Sequence, residues 1–254
     1  MRFAKMQALG NDFIVTHEIG PDGMDDLARR TPSLCDRRTG IGADGVIAIL
    51  PCGEADYRMR IFNADGSEAE MCGNGIRCVV MYLDKAGITG KALLSIETGA
   101  GLITTSRLDN QVRVDMSAPV LDADKIPTTK PSGRVIMQSI TVLDRVFQVT
   151  AVSMGNPHAV IFVSALNDTL VHRYGRELEH HSFFPHRVNA EFVRILSGNE
   201  IEMRVWERGC GETMACGTGA CASVVAGVIT GKLSGEVTVH LLGGDLLVAW
   251  DGDA

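Results

Sequence analysis

Two cysteines in this sequence have nearly the same neighbours. Cys72 lies in FNADGSEAEMCGNGIRC, residues 62–78, and Cys216 lies in VWERGCGETMACGTGACAS, residues 205–223. Each is followed by Gly-x-Gly and then by a stretch of helical character. Glycines let the backbone turn sharply and approach a ligand closely. The helix that follows directs free N–H groups and the positive end of its dipole at that ligand. A carboxylate suits such a place, and the same field favours a cysteine thiolate. Two such motifs suggest one ligand held by both helix ends, with one sulfur on each face. One thiolate takes a proton alpha to the carboxylate and the opposite thiol delivers another, so the carbon is inverted. Charge that develops on the carboxylate meets preorganised N–H donors. The paired cysteines make a cofactor unnecessary for this chemistry.

A lone cysteine beside a glycine turn is ordinarily a small packed residue, so the argument rests on the duplication. Cys72 and Cys216 are 144 residues apart, and the same offset pairs Gly73 with Gly217, Gly75 with Gly219 and Glu68 with Glu212. Upstream, Gly10-Asn11 pairs with Gly155-Asn156 at an offset of 145. The period is far too long for a stacked solenoid and reads as two lobes with a pseudo-twofold relation. Short alternating runs predict strands over 93–97, 102–106, 112–116, 140–142, 148–152, 160–163, 200–205, 237–241 and 246–250. Helices are predicted over 75–86 and 218–230, with weaker signals over 25–37 and 167–179. The Pro/Ser/Thr-bearing segment 119–133 reads as a linker or lobe boundary.

Other residues carry weaker signals. His158 stands in MGNPH, where a core or surface role is as open as a functional one. Glu207-Arg208 precedes Cys216 by nine and eight residues, and Asn63 precedes Cys72 by nine. That symmetry favours binding, and an arginine fork suits a second substrate carboxylate. The remaining cysteines, Cys35, Cys52, Cys78, Cys210 and Cys221, read as packing residues. Their spacing matches no zinc pattern, and no metal is expected.

Bulk properties exclude several classes. The chain has 254 residues, 45% hydrophobic and 22% charged, which suits a globular protein with ample core. Its net charge is −7, which argues against a nucleic-acid partner. No run reaches the roughly 18 apolar residues of a membrane helix. The start has no secretory signal pattern, and seven cysteines in such a chain argue against a disulfide framework. The sequence therefore reads as cytoplasmic and off the membrane. Neither a dinucleotide fingerprint nor a Walker loop occurs.

The ordered motifs KMQALGNDFIV, GIGADGVI, FNADGSEAEMCGNGIRC, MGNPHAV, RVNAEFV and WERGCGETMACGTGA resemble those of the diaminopimelate epimerase family over nearly the whole chain. The resemblance implies an α+β fold of two pseudo-symmetric lobes, each an antiparallel sheet curled around a central helix, with the site between them. It implies an N-terminal lobe over 1–117, completed by a returning C-terminal strand over 241–254, and a second lobe over 118–240. The implied activity is epimerisation of LL-diaminopimelate to the meso form, without pyridoxal phosphate, in lysine and cell-wall precursor synthesis. Cys72 and Cys216 become base and acid. Gly73, Asn74, Gly217 and Thr218 hold the reacting carboxylate. Asn11, Asn63, Asn156, Asn189 and Arg208 fix the distal amino-acid end, with Asp44 also binding substrate, and Glu207 and His158 orient or tune the reacting centre. The family is commonly homodimeric. Two other readings compete: a racemase of another amino acid, histidine among them, and a non-catalytic binding protein of the same fold.

Overall fold

The computed structural model describes residues 2–252. The chain divides into two compact units, one ending at Asp115 and one beginning at Met116, against an expected boundary after residue 117.

The first unit is built on one sheet. Its strands are β1 (Ala4–Ala8), β2 (Asn11–Thr16), β3 (Gly45–Leu50), β4 (Tyr57–Asn63), β5 (Glu68–Ala69), β6 (Leu93–Thr98), β7 (Gly101–Leu108) and β8 (Gln111–Val114). They pair in the order β1-β2-β3-β4-β6-β7-β8, with β5 beside β4. Helix α1 (Met24–Cys35) lies between β2 and β3 in sequence, and α2 (Gly73–Lys85) between β5 and β6. The sequence GVIAIL of β3 is buried throughout, as a central strand covered on both faces requires. Side chains alternate across the sheet. Ile47 and Ile49 pack with Ile76, Val79 and Leu83 of α2. Val46, Ala48 and Leu50 pack with Met24, Leu27 and Cys35 of α1. Both helices thus bury one apolar stripe at three- and four-residue spacing. Each fully buried large aliphatic side chain contributes about 1.5–3 kcal/mol.

The second unit repeats this plan with β9 (Gln138–Val142), β10 (Arg145–Ser153), β11 (Pro157–Phe162), β12 (Asn189–Ser197), β13 (Glu200–Glu207), β14 (Gly211–Glu212), β15 (Glu236–Leu241) and β16 (Gly244–Ala249). The order is β9-β10-β11-β12-β13-β15-β16, with β14 beside β13. A π-helical stretch, Thr169–Gly175, runs into the short α3 (Arg176–Glu179), and α4 spans Gly217–Ile229. Helix α4 packs with Val160, Val193, Met203, Val205, Val237 and Val239. Leu170, Val171, Tyr174 and Leu178 pack with Ile161, Ala190 and Phe192, the alternate residues of the same strands.

The repeat seen in the motifs extends to topology. The path β1-β2-β3-β4-β6-β7 alternates antiparallel and parallel pairings, and β10-β11-β12-β13-β15-β16 repeats the same alternation. Each sheet is therefore mixed, where an antiparallel sheet was expected. All nine predicted strands and all four predicted helices are found, with ends displaced by up to three residues. Strands β1 to β5, β12 and β14 have no counterpart among the predictions.

Two expectations are corrected. The C-terminal strand expected to complete the first lobe instead pairs with β15 in the second sheet. The chain turns back between Leu241 and Gly244, so the local hairpin supplies the partner, and Val248 packs in the core around α4. Residues 253–254 of that expectation lie outside the described residues. The segment 119–133 is no free linker either. Ala123 and Ile126 are buried in the second unit's core, and Val120 and Asp122 form bridges to Ser153 and Arg134.

Candidate active site

Cys72 and Cys216 are the N-caps of α2 and α4. Both have extended backbone, and their sulfurs accept the N–H of Gly75 at 3.4 Å and of Gly219 at 3.3 Å. Close approach dictates these glycines. A Cβ on Gly75 would stand 3.1 Å from Cδ1 of Ile47, and one on Gly219 would stand 2.9 Å from Oε1 of Glu191. Gly73-Asn74 and Gly217-Thr218 form the first turns, where helix N–H groups have no intrahelical partner. The local chemistry inferred from the duplicated motif, a thiol at the mouth of a helix, is present in each unit.

In the first unit the asparagines gather at Cys72. Oδ1 of Asn11 lies 3.7 Å from the Cys72 sulfur and accepts from Nδ2 of Asn74 at 3.3 Å. Its Nδ2 donates to Oδ2 of Asp44 at 2.8 Å. Asp44 also accepts from Arg37 at 2.7 Å, and Arg37 reaches Asp12 at 2.7 Å. Asp44 thus fixes the side chain of Asn11. Arg77, one turn into α2, donates to the Gly73 carbonyl and to Oδ1 of Asn74. Asn63 is exposed at the end of β4, and its amide donates to Ser67.

The second unit surrounds Cys216 with acids. Glu207 ends β13, and its Oε1 accepts from Thr213. Burial pushes its carboxyl up, against the pull of Thr213, His158 and Cys216, and the neighbouring Glu191 pushes it further. His158 is fully buried, with Nδ1 2.7 Å from Oε1 of Glu191 and Nε2 2.9 Å from Oδ1 of Asn156. Asn189 donates to the Pro157 carbonyl at 2.8 Å and accepts the Arg208 backbone N–H at 2.9 Å. It therefore anchors the chain that carries Arg208. The guanidinium of Arg208 is exposed and makes no ion pair among the described residues.

The cysteine of this unit departs from the sequence expectation. A helix N-terminus favours thiolate, yet burial holds the Cys216 thiol well above the ordinary cysteine range, and Glu207 and Glu191 add to it. Thr218, 3.4 Å away, and the Gly219 N–H oppose them without prevailing. Burial likewise pushes Cys78 and Cys221 up to about 12, which fits packing residues.

Glu191, Thr213, Arg37 and Asp12 were not singled out in the sequence. A signal existed for Glu191: a carboxylate inside the apolar run of NAEFV is out of place in a central strand. Among the described residues no cluster of His, Cys, Asp and Glu could hold a metal ion, and no helix is long and apolar enough to cross a membrane.

A sequence profile described as diaminopimelate epimerase matches residues 3–121 and 150–254. A diaminopimelate epimerase of Desulforudis audaxviator is 51% identical over 261 residues, covering 100% of this chain and 93% of that protein. One from Pelotomaculum thermopropionicum is 48% identical, covering 98% and 91%. Among solved structures, a hydroxyproline epimerase from Agrobacterium vitis superposes with a TM-score of 0.69 at 16% identity, covering 98% of this chain and 84% of its own. A probable proline racemase from Agrobacterium radiobacter K84 gives 0.67 at 17% identity, covering 96% and 83%. At such identity these two structures speak for the fold alone.

Proposed function

The chain belongs to the diaminopimelate epimerase family, and we propose that it interconverts LL- and meso-diaminopimelate with Cys72 and Cys216 as its two proton-transfer groups. The reaction is an isomerisation of lysine biosynthesis. The observation that carries the assignment of the cysteines is the duplicated cap: each sulfur accepts a first-turn N–H of its helix.

The α-hydrogen of an amino acid is weakly acidic, so the carboxylate must be stabilised as the carbanion forms. First-turn N–H groups at Gly73-Asn74 and Gly217-Thr218 supply donors for that charge. In the LL-to-meso direction Cys72 acts as thiolate and removes the proton, and Cys216 acts as thiol and delivers one. The raised position of Cys216 supports this order, because burial, with Glu207 and Glu191 adding to it, favours its thiol over its thiolate. Reversal exchanges the roles. His158 and Glu207 tune the centre. Asn11, Asp44, Asn63, Asn156 and Asn189 shape the binding surface, and the exposed Arg208 takes the distal carboxylate as a fork.

The protein works on this small amino acid without pyridoxal phosphate or another cofactor, in the cytoplasm, as a homodimer. Light scattering of the purified protein tests the last point, and a monomer mass overturns it. Incubation with LL-diaminopimelate in deuterated water tests the activity. The expected product is meso-diaminopimelate with deuterium at the inverted carbon, and absence of both inversion and exchange overturns the reading. Cys72→Ala and Cys216→Ala are each expected to lower turnover at least about 10³-fold while leaving the fold intact. Full turnover in either variant removes that cysteine from the chemistry.

A further inference from the structure

The repeat supplies an internal control for the second unit. In the first unit Val15 of β2 pairs with Ile47 of β3, and in the second Val160 of β11 pairs with Glu191 of β12. Likewise Phe13 pairs with Gly45, and His158 pairs with Asn189. Glu191 therefore stands where Ile47 stands, and His158 stands where Phe13 stands. The correspondence reaches the helix, since Ile47 packs under Gly75 and Glu191 under Gly219. Phe13 and Ile47 belong to one apolar core. The fold thus needs only two apolar side chains at these positions.

The second unit has instead a fully buried histidine–carboxylate pair, with Nδ1 2.7 Å from Oε1. The other oxygen of Glu191, Oε2, is buried without a hydrogen-bond partner among the described residues. Burying a carboxylate that is incompletely satisfied opposes folding, and an isoleucine in the same cradle avoids that cost. The carboxylate is therefore retained for something other than packing. An ionised carboxylate only accepts hydrogen bonds, so its contact fixes the hydrogen of His158 on Nδ1. The amide of Asn156, against Nε2, can present either an acceptor or a donor. The tautomer is then set from the Glu191 side, with Nε2 held against the side chain of Asn156.

We propose that Glu191 is a positioning residue of the epimerisation, holding His158 in one orientation and one tautomer from beneath the first turn of α4. The proposal rests on the assignment of His158 to the reacting centre. Glu191 touches no reacting atom and acts through the histidine, while its charge adds to that of Glu207 beside Cys216.

The test compares Glu191→Gln, His158→Asn and the double variant, with kcat, KM, the pH profile of kcat/KM and Tm measured on diaminopimelate. Glu191→Gln keeps the shape but lets the amide present either atom to Nδ1. It is expected to lower kcat by about 10²- to 10⁴-fold, to leave KM within about threefold and to displace the pH profile. In the His158→Asn background the same change is expected to cost less than about threefold, because residues acting as a unit are not additive. His158→Phe with Glu191→Ile rebuilds the apolar pair of the first unit and is expected to fold with unreduced Tm and no turnover. Should Glu191→Gln fail to fold, Glu191→Asp, which keeps the carboxylate, is expected to exceed the turnover of the folded apolar pair at least tenfold. Full kcat in Glu191→Gln with a disabled His158→Asn overturns the proposal, as does an equal loss in both backgrounds. Full kcat in His158→Asn overturns the assignment of His158 itself.

Discussion

Glu207 ends β13 as Asn63 ends β4, 144 residues earlier, yet the two side chains face different tasks. The amide of Asn63 is exposed and donates to Ser67. The carboxyl of Glu207 accepts from Thr213 and lies close enough to Cys216 to push its thiol up. The backbone was repeated while a neutral amide and a carboxylate were placed before the two cysteines. Glu207→Gln removes that charge without changing shape. Cys216 is then expected to ionise at lower pH, and kcat to fall by about 10²- to 10⁴-fold. Alkylation of Cys216 by iodoacetamide, followed against pH by mass spectrometry, checks the first part. An unshifted profile denies Glu207 its influence on the thiol.

Arg208 is held by its backbone, and its exposed head makes no ion pair among the described residues. Its N–H donates to Asn189, itself tied to the Pro157 carbonyl. A guanidinium binds a carboxylate with two parallel hydrogen bonds, whereas an ammonium is a point charge. Arg208→Lys is expected to raise KM for diaminopimelate by about 10-fold or more, with a smaller change in kcat. Asn189→Ala is expected to act in the same direction by releasing the loop. An amino acid with no distal carboxylate is expected to show the same kinetics with wild type and Arg208→Lys, and a loss there as well denies the pairing.

What the sequence reveals here follows the range of the physics. The cysteine caps are local, since Cys-Gly-x-Gly and the helix after it share one turn, and α2 and α4 begin within two residues of the predicted starts. Strands β3 and β12 are covered on both faces, so GVIAIL and NAEFV lack the alternation that marks a half-buried strand. The parallel pairs β4·β6 and β13·β15 join segments separated by a helix, and spacing alone does not reveal them. Asp44 was reached by resemblance, but its bond to Asn11 depends on β2 and β3 lying side by side. The carboxylate of Glu191 stands out in NAEFV, but its pairing with His158, 33 residues away, is hidden from local spacing.

The repeat also duplicates an ion pair in two environments. Arg60 bonds Glu68 across β4 and β5, and Arg204 bonds Glu212 across β13 and β14. The first pair is 31% and 44% exposed, the second 15% and 16%. Glu212 also meets His172 at 2.5 Å, and Arg204 meets Asp168 at 2.9 Å. Solvent screening weakens the outer pair, while the inner pair leaves a charge poorly solvated when broken. Glu68→Gln is expected to cost less than about 1 kcal/mol and Glu212→Gln about 1–3 kcal/mol. Urea unfolding of the two variants checks the order, and equal losses contradict it.

Asp12 makes the network behind Asn11 sensitive to acid. Burial opposes its ionisation, but hydrogen bonds and charge from Arg37 and Lys5 prevail and bring its carboxyl from 3.8 down to about 2. A carboxyl depressed in the folded state is more readily ionised there than in the unfolded chain. Its stabilisation is therefore complete above the unfolded value near 4, falls as pH drops through the window from about 4 to about 2, and vanishes below it. With the screening that the exposed Arg37 and Lys5 heads impose, the shift corresponds to about 1 kcal/mol at neutral pH. Asp12→Asn is expected to lose that amount at pH 7 and to differ little from wild type at pH 2. Unfolding free energies of both proteins between pH 7 and pH 2 give the comparison. Because Arg37 bridges Asp12 to Asp44, and Asp44 holds Asn11, the variant is also expected to raise KM. A stability difference that persists unchanged to pH 2 contradicts the assignment of the effect to the Asp12 charge.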